Sequence, residues 1–263
     1  MRNYYLIDIQ LHILSQIIAK TNRTFVPKKE DDSHTNLYFD AIENRIYGRW
    51  IETISDKILL SFSLKEHCFQ WLNKKLQLLQ SVSILNKTFD EIEKEIKQTL
   101  PQLNLSTEGF SNPLHYEIPP YKSFKKPFLE FDEIGLSNWI LFRQLANQAC
   151  NLLSGYLQTK AETRIWPHHF DTGVYLEPHQ NLGIGFGLAM KDDRVGDAYF
   201  YLSGYKLDET TFNFETVSKS TYGNWHITKN WKGAVLPLQE IQKEPSQKLN
   251  RFLKDTTNWY LNN

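Results

Sequence analysis

Two neighbouring stretches alternate with a period of two, and they constrain the fold more than any other feature of the chain. The first is Leu182-Gly183-Ile184-Gly185-Phe186-Gly187-Leu188 and the second is Ala198-Tyr199-Phe200-Tyr201-Leu202-Ser203-Gly204-Tyr205. In an extended strand, alternate residues share a face. Three glycines therefore fall on one face of the first strand, and Ile184, Phe186 and Leu188 on the other. In the second strand Tyr199, Tyr201, Ser203 and Tyr205 lie opposite Phe200, Leu202 and Gly204. The polar linker 191–197 predicts a hairpin that sets the glycine face beside the tyrosine face, with the core behind. The glycine run does not fit a dinucleotide loop, which needs G-x-G-x-x-G between a strand and a helix.

Around this hairpin the pattern predicts an α+β protein, mainly antiparallel sheet covered by helices. Helical spacing of apolar residues appears over 4–19, 64–81, 88–100, 137–159 and 246–261. The stripe over 64–81 is Phe69, Leu72, Leu76 and Leu79. Asp90, Glu91 and Pro101 punctuate the helix over 88–100. Short β-like runs occupy 35–41, 45–53 and 57–63, with Ser55-Asp56 as one of the turns between them. Further runs occupy 164–176, 182–190 and 198–206, with additional strands expected at 212–217 and 225–228. Helix, three-stranded meander and helix thus occur twice, which suggests two pseudo-repeated halves. The chain reads as one globular unit over 1–263. Its alternative subdivision is 1–100, a proline-rich crossing over 101–131 holding five of the ten prolines, and 132–263.

Composition narrows the partners. Thirty basic and thirty acidic residues leave no net charge, which argues against nucleic acid as a partner. No run approaches the ~20 apolar residues of a membrane helix. Asp8, Gln10 and His12 interrupt the N-terminal apolar residues where a signal peptide would need a continuous core. The protein is expected to be cytoplasmic, with Cys68 and Cys150 as buried reduced thiols.

Eight of the twelve glycines and four of the eight histidines lie beyond residue 167, so the candidate site is sought there. In Trp166-Pro167-His168-His169-Phe170-Asp171, strand geometry puts His169 and Asp171 on one face. A carboxylate two residues from a histidine can orient its imidazole. His226 follows in Asn224-Trp225-His226. His169, Asp171 and His226 are the candidate catalytic residues. His168, Tyr199, Tyr201, Tyr205, Gly185 and Trp225 are the candidate ligand contacts. No cofactor is called for. No metal is expected either, because helical His pairs and clustered Cys ligands are absent. Two functions fit. One is a small-molecule pocket on the C-terminal sheet, serving a hydrolytic or proton-transfer reaction with His169 as general base. The other is a non-catalytic surface for protein interaction or self-association.

Three short segments carry a resemblance. Leu11-His12-Ile13-Leu14-Ser15-Gln16-Ile17-Ile18-Ala19-Lys20, His34-Thr35-Asn36-Leu37-Tyr38 and Trp166–Asp171 are similar to an uncharacterised bacterial family, domain of unknown function 5996. The resemblance spans about residues 11 to 240 and implies kinship, with no activity, cofactor or fold attached.

Overall fold

The computed structural model describes residues 1–263 apart from Ser55, Glu209 and Ser218. The expected turn at Ser55 therefore lies outside the described residues. The chain forms an α+β fold, and its residues group into two compact units. One, here the N-terminal unit, comprises Arg2–Leu141 and Ile165–Phe170; the other, the C-terminal unit, comprises Met1, Phe142–Arg164 and Asp171–Asn263. The division runs through one helix, and the proline-rich crossing belongs wholly to the N-terminal unit. Among the described residues, no helix is long and apolar enough to cross a membrane.

The N-terminal unit opens with α1 (Arg2–Phe25), whose Ile13, Leu14, Ile17 and Ile18 are fully buried. An antiparallel sheet follows: β1 (Tyr38–Asp40), β2 (Arg45–Tyr47), β3 (Ile51–Glu52), β4 (Lys57–Ser63), β5 (Cys68–Asn73) and β6 (Leu78–Ser83). Its order is β1-β2-β4-β5-β6, with β3 also on β4. Helix α2 (Phe89–Thr99) starts at a capping box: the Thr88 hydroxyl accepts from the Glu91 N–H, and the Glu91 carboxylate accepts from the Thr88 N–H. Residues 101–131 then cross with only short 3₁₀ turns. The last elements are the start of α3 (Glu133–Tyr156) and most of β7 (Arg164–Trp166), whose Ile165 exchanges two backbone hydrogen bonds with Leu37.

The structure corrects the helix expected over 64–81, which is the β5–β6 hairpin. Leu76 and Leu79 of the supposed apolar stripe are exposed, while Phe69, Trp71 and Val82 are buried. Strand β5 is buried on both faces, so its text shows no alternation. The hairpin turn is held by the Asn73 side chain, which accepts from the N–H groups of Lys75 and Gln77, and Leu76 takes the left-handed region at φ 58°.

The C-terminal unit holds the rest of α3, then β8 (Asp171–His179), β9 (Leu182–Ala189), β10 (Tyr199–Lys206), β11 (Asn224–Ile227), β12 (Lys232–Pro237) and α4 (Pro245–Leu261). The strands are antiparallel and run β11-β12-β10-β9-β8. This is not a simple meander, because β12 inserts between β10 and β11. Residues 212–217 form a 3₁₀ turn at Phe214–Thr216 rather than a strand, started by the Asn213 side chain accepting from the Glu215 N–H. On the core face, Ile184, Phe186, Leu188, Phe200 and Leu202 are fully buried. Helix α4 closes over that face, with the Tyr260 ring so near Gly204 that a Cβ there would lie 2.3 Å from it.

Candidate functional site

The β9–β10 register pairs Gly187 with Tyr201, Gly185 with Ser203 and Gly183 with Tyr205. The glycine and tyrosine faces are therefore one surface, as the alternation predicts. Strand β8 adds Gly173 opposite Gly187 and Tyr175 opposite Gly185. The strip is not bare, however. The Tyr201 hydroxyl lies over the Gly173–Gly187 pair, 3.2 and 2.8 Å from where their Cβ atoms would stand. Tyr175 lies over Gly183, where a Cβ would meet its hydroxyl at 2.1 Å. Gly185 is the least crowded of the three glycines of β9, its nearest neighbours being the Ser203 hydroxyl, close at 3.3 Å, and the Tyr205 ring at 3.6 Å.

Each tyrosine has a distinct place. Tyr201 donates to Asp171 Oδ2 at 2.6 Å. Burial, and then the Asp171 carboxylate, hold its hydroxyl well above the usual phenol range, so it stays protonated. Tyr199 is buried and donates to Asp192 Oδ2 at 2.9 Å, locking the hairpin loop. Asp192 also accepts from the N–H groups of Arg194 and Val195. Tyr205 and Tyr175 are each 48% exposed and close enough to interact, with ring centroids 6.3 Å apart. Ser203 donates to the Tyr205 hydroxyl at 3.0 Å.

The histidines fall differently from expectation. The strand expected over 164–176 is interrupted, because residues 167–170 form a turn closed by the Phe170 N–H donating to the Trp166 carbonyl at 2.7 Å. Phe170 sits at φ 56°, a left-handed conformation that a bulky residue rarely adopts. The two-residue alternation linking His169 to Asp171 is thereby lost, since His169 is in the turn and Asp171 starts β8. In the C-terminal unit Asp171 orients a phenol rather than an imidazole. His169 is exposed, beside His168 with ring centroids 4.3 Å apart, and His168 packs against Tyr116 and Trp166. His226 does lie on the tyrosine face, 6.0 Å from the Trp231 ring. Trp225, adjacent to it, points to the opposite face and packs on Trp259, Tyr260 and Phe214, away from the tyrosine face. Among the described residues, no three His, Cys, Asp or Glu side chains gather as a metal-binding group. Both cysteines are buried and free, and burial pushes both thiols up.

At the end of β10 the surface becomes concave. A cleft of about 330 Å³ is lined by Tyr205, Phe212, Phe214 and Trp231 together with Lys206, Lys229 and Lys232. Lys206 Nζ stands 4.6 Å from the Phe212 centroid and Lys232 Nζ 5.4 Å from that of Phe214. The Arg194 guanidinium lies 4.9 Å from the Trp231 centroid. Trp231 itself folds over Gly233, where a Cβ would come within 2.6 Å of the ring. No carboxylate side chain lines the cleft among the described residues, and Lys206 Nζ donates to the Asn263 main-chain oxygen at 2.7 Å.

The N-terminal unit holds a polar network that the sequence pattern did not single out. His12 on α1 is buried, and its Nε2 lies 3.0 Å from the Pro167 carbonyl while Nδ1 lies 3.0 Å from the Tyr121 hydroxyl. A carbonyl only accepts, so Nε2 carries the proton and Nδ1 accepts from Tyr121. Gln16 donates to the same carbonyl at 2.9 Å and accepts from the Tyr116 hydroxyl at 3.0 Å. The Phe170 ring stacks on His12 at an interplanar angle of 11°, which helps hold its left-handed backbone. Burial, and then Asp8, push the Tyr121 phenol up to about 12.

Comparison of the chain with family models, curated proteins and solved structures finds no match.

Proposed function

We propose that the chain binds a small anionic molecule with a planar, stackable part at the C-terminal sheet. The observation that carries this reading is the cleft at the end of β10, where four aromatic rings and three lysines converge with no described carboxylate side chain in the lining, and where Lys206 already donates to the Asn263 main-chain oxygen. Its volume of about 330 Å³ suits a small ligand, since such sites measure roughly 300–1,000 Å³. Aromatic faces favour a planar partner and the ammonium groups an anionic one. Tyr205 joins the cleft to the sheet face, where Asp171 and the protonated Tyr201 supply a polar edge. Proton transfer by His169 is the catalytic version of this reading; it now lacks the strand geometry that motivated it. Two buried free thiols support a cytoplasmic location. The motifs at 11–20, 34–38 and 166–171 support kinship with the domain 5996 family.

A thermal-shift titration tests the proposal with a nucleoside monophosphate and its uncharged nucleoside as probes. Binding to the folded state raises the unfolding midpoint. The monophosphate is expected to raise it more than the nucleoside, and Trp231→Ala and Lys229→Glu are each expected to weaken the effect. Absence of any shift with anionic aromatic probes would overturn the reading. Tyr205→Glu dissociating a dimer in sedimentation would instead support the self-association alternative.

A further inference from the structure

A groove of about 650 Å³ runs along the first half of α1 in the N-terminal unit. One wall is the helical stripe Asn3, Leu6, Ile7 and Gln10; the other comes from residues 121–132. The walls run antiparallel. Tyr121 reaches His12 at one end, and at the other Asp132 accepts from Asn3 Nδ2 at 3.0 Å. With a rise of 1.5 Å per residue, the two ends lie about 14 Å apart along the helix. Leu6 and Leu129 line the groove while remaining 55% and 62% exposed, so its walls are unusually wet for apolar residues.

The two ends differ in charge. Lys122 adjoins Tyr121, and Lys126 follows one turn later; neither makes an ion pair among the described residues. Glu130 and Asp132 lie toward Asn3, and Asp132 is already engaged by Asn3 and by the Gly135 N–H at the start of α3. We propose that the groove is a second ligand site, which takes a linear amphiphile with one carboxylate headgroup. The headgroup sits toward Lys122 and Lys126, and the hydrocarbon chain covers the exposed Leu6 and Leu129. The reversed orientation would set the carboxylate beside Glu130 and Asp132, against like charge.

The test is calorimetric titration of the full chain with dodecanoate, dodecanol and dodecyltrimethylammonium, each kept monomeric. Dodecanoate is expected to bind most tightly. Lys122→Glu with Lys126→Glu should weaken it about tenfold, a loss in the range of a close charge pair at an interface, and leave dodecanol little changed. Leu6→Asp should weaken both. All three side chains are exposed, so an unchanged unfolding midpoint will certify each variant as folded. The proposal is overturned if dodecyltrimethylammonium binds as tightly as dodecanoate, if the double lysine variant binds dodecanoate unchanged, or if the folded chain does not bind dodecanoate.

Discussion

Adding one methyl group to Gly187 tests the account of the glycine strand. A Cβ at Gly187 would stand 2.5 Å from the Thr172 carbonyl oxygen, 2.8 Å from the Tyr201 hydroxyl and 3.0 Å from Gly173 Cα. Two of these three are backbone atoms of the neighbouring strand, so β8 and β9 must separate locally to admit the methyl. Overpacking of this kind costs about 1–3 kcal/mol. Replacing glycine within a strand returns about 0.5–1 kcal/mol of backbone entropy. With two backbone atoms in the way the cost lies in the upper part of that range, about 2–3 kcal/mol, so the expected net loss for Gly187→Ala is about 1–2.5 kcal/mol. Gly185→Ala is the control: its nearest contact is the Ser203 hydroxyl at 3.3 Å, a movable atom, and no backbone atom crowds it. That variant should fall between neutral and about 0.5 kcal/mol more stable. Adding Tyr201→Phe to Gly187→Ala should recover only part of the clash, because the Thr172 carbonyl remains. Urea unfolding followed by tryptophan fluorescence and circular dichroism provides the comparison. Equal losses for the two alanine variants, or a neutral Gly187→Ala, would refute the claim that the glycines exist to admit the protein's own tyrosines.

Two further perturbations bear on the buried phenols and the His12 network. Burial raises Tyr201 in the folded state, so its contribution is complete below the ordinary phenol value of about 10 and is lost as pH rises beyond it. The urea midpoint should fall above that pH, and Tyr201→Phe should flatten the fall; an identical slope in the variant would count against it. His12→Phe removes the acceptor for Tyr121 while Gln16 continues to serve the Pro167 carbonyl, so the expected loss is about 1–3 kcal/mol. A thermal midpoint unchanged by His12→Phe would show that the network does not hold the crossing to α1.

What could be read from the sequence depends on how local the controlling interactions are. The β9–β10 hairpin was legible because period-two alternation acts between neighbours, and α2 because Asp90 and Glu91 in its first turn and Pro101 at its end mark it locally. The hairpin β5–β6 was not, because a strand buried on both faces has no alternation to show. Its leucines at 72, 76 and 79 mimic a helical stripe although the last two face solvent. The turn at 167–170 is set by Phe170 in a left-handed conformation, supported by a histidine on α1. That histidine was invisible as a site residue for the same reason, since its two ring partners are 109 and 155 residues away. Of the candidate site, Tyr201, Tyr205, Asp171, Gly185 and His226 share the expected face. Trp225 does not, because adjacent strand residues point oppositely.

The self-covering of the glycine strip changes what the aromatic excess implies. A glycine face invites a flat partner, and here Tyr201 and Tyr175 already supply it from adjacent strands. Tyr199 is spent on the hairpin loop. A ligand cannot lie on the strip without displacing a phenol that is also hydrogen-bonded to Asp171. The aromatic area still open is therefore at the margin, on Tyr175, on Tyr205 and in the cleft beyond it. There the rings are flanked by lysines that the strip itself lacks. Period-two patterning thus explains why the strand is flat, and the chemistry of recognition has to be sought where that pattern ends.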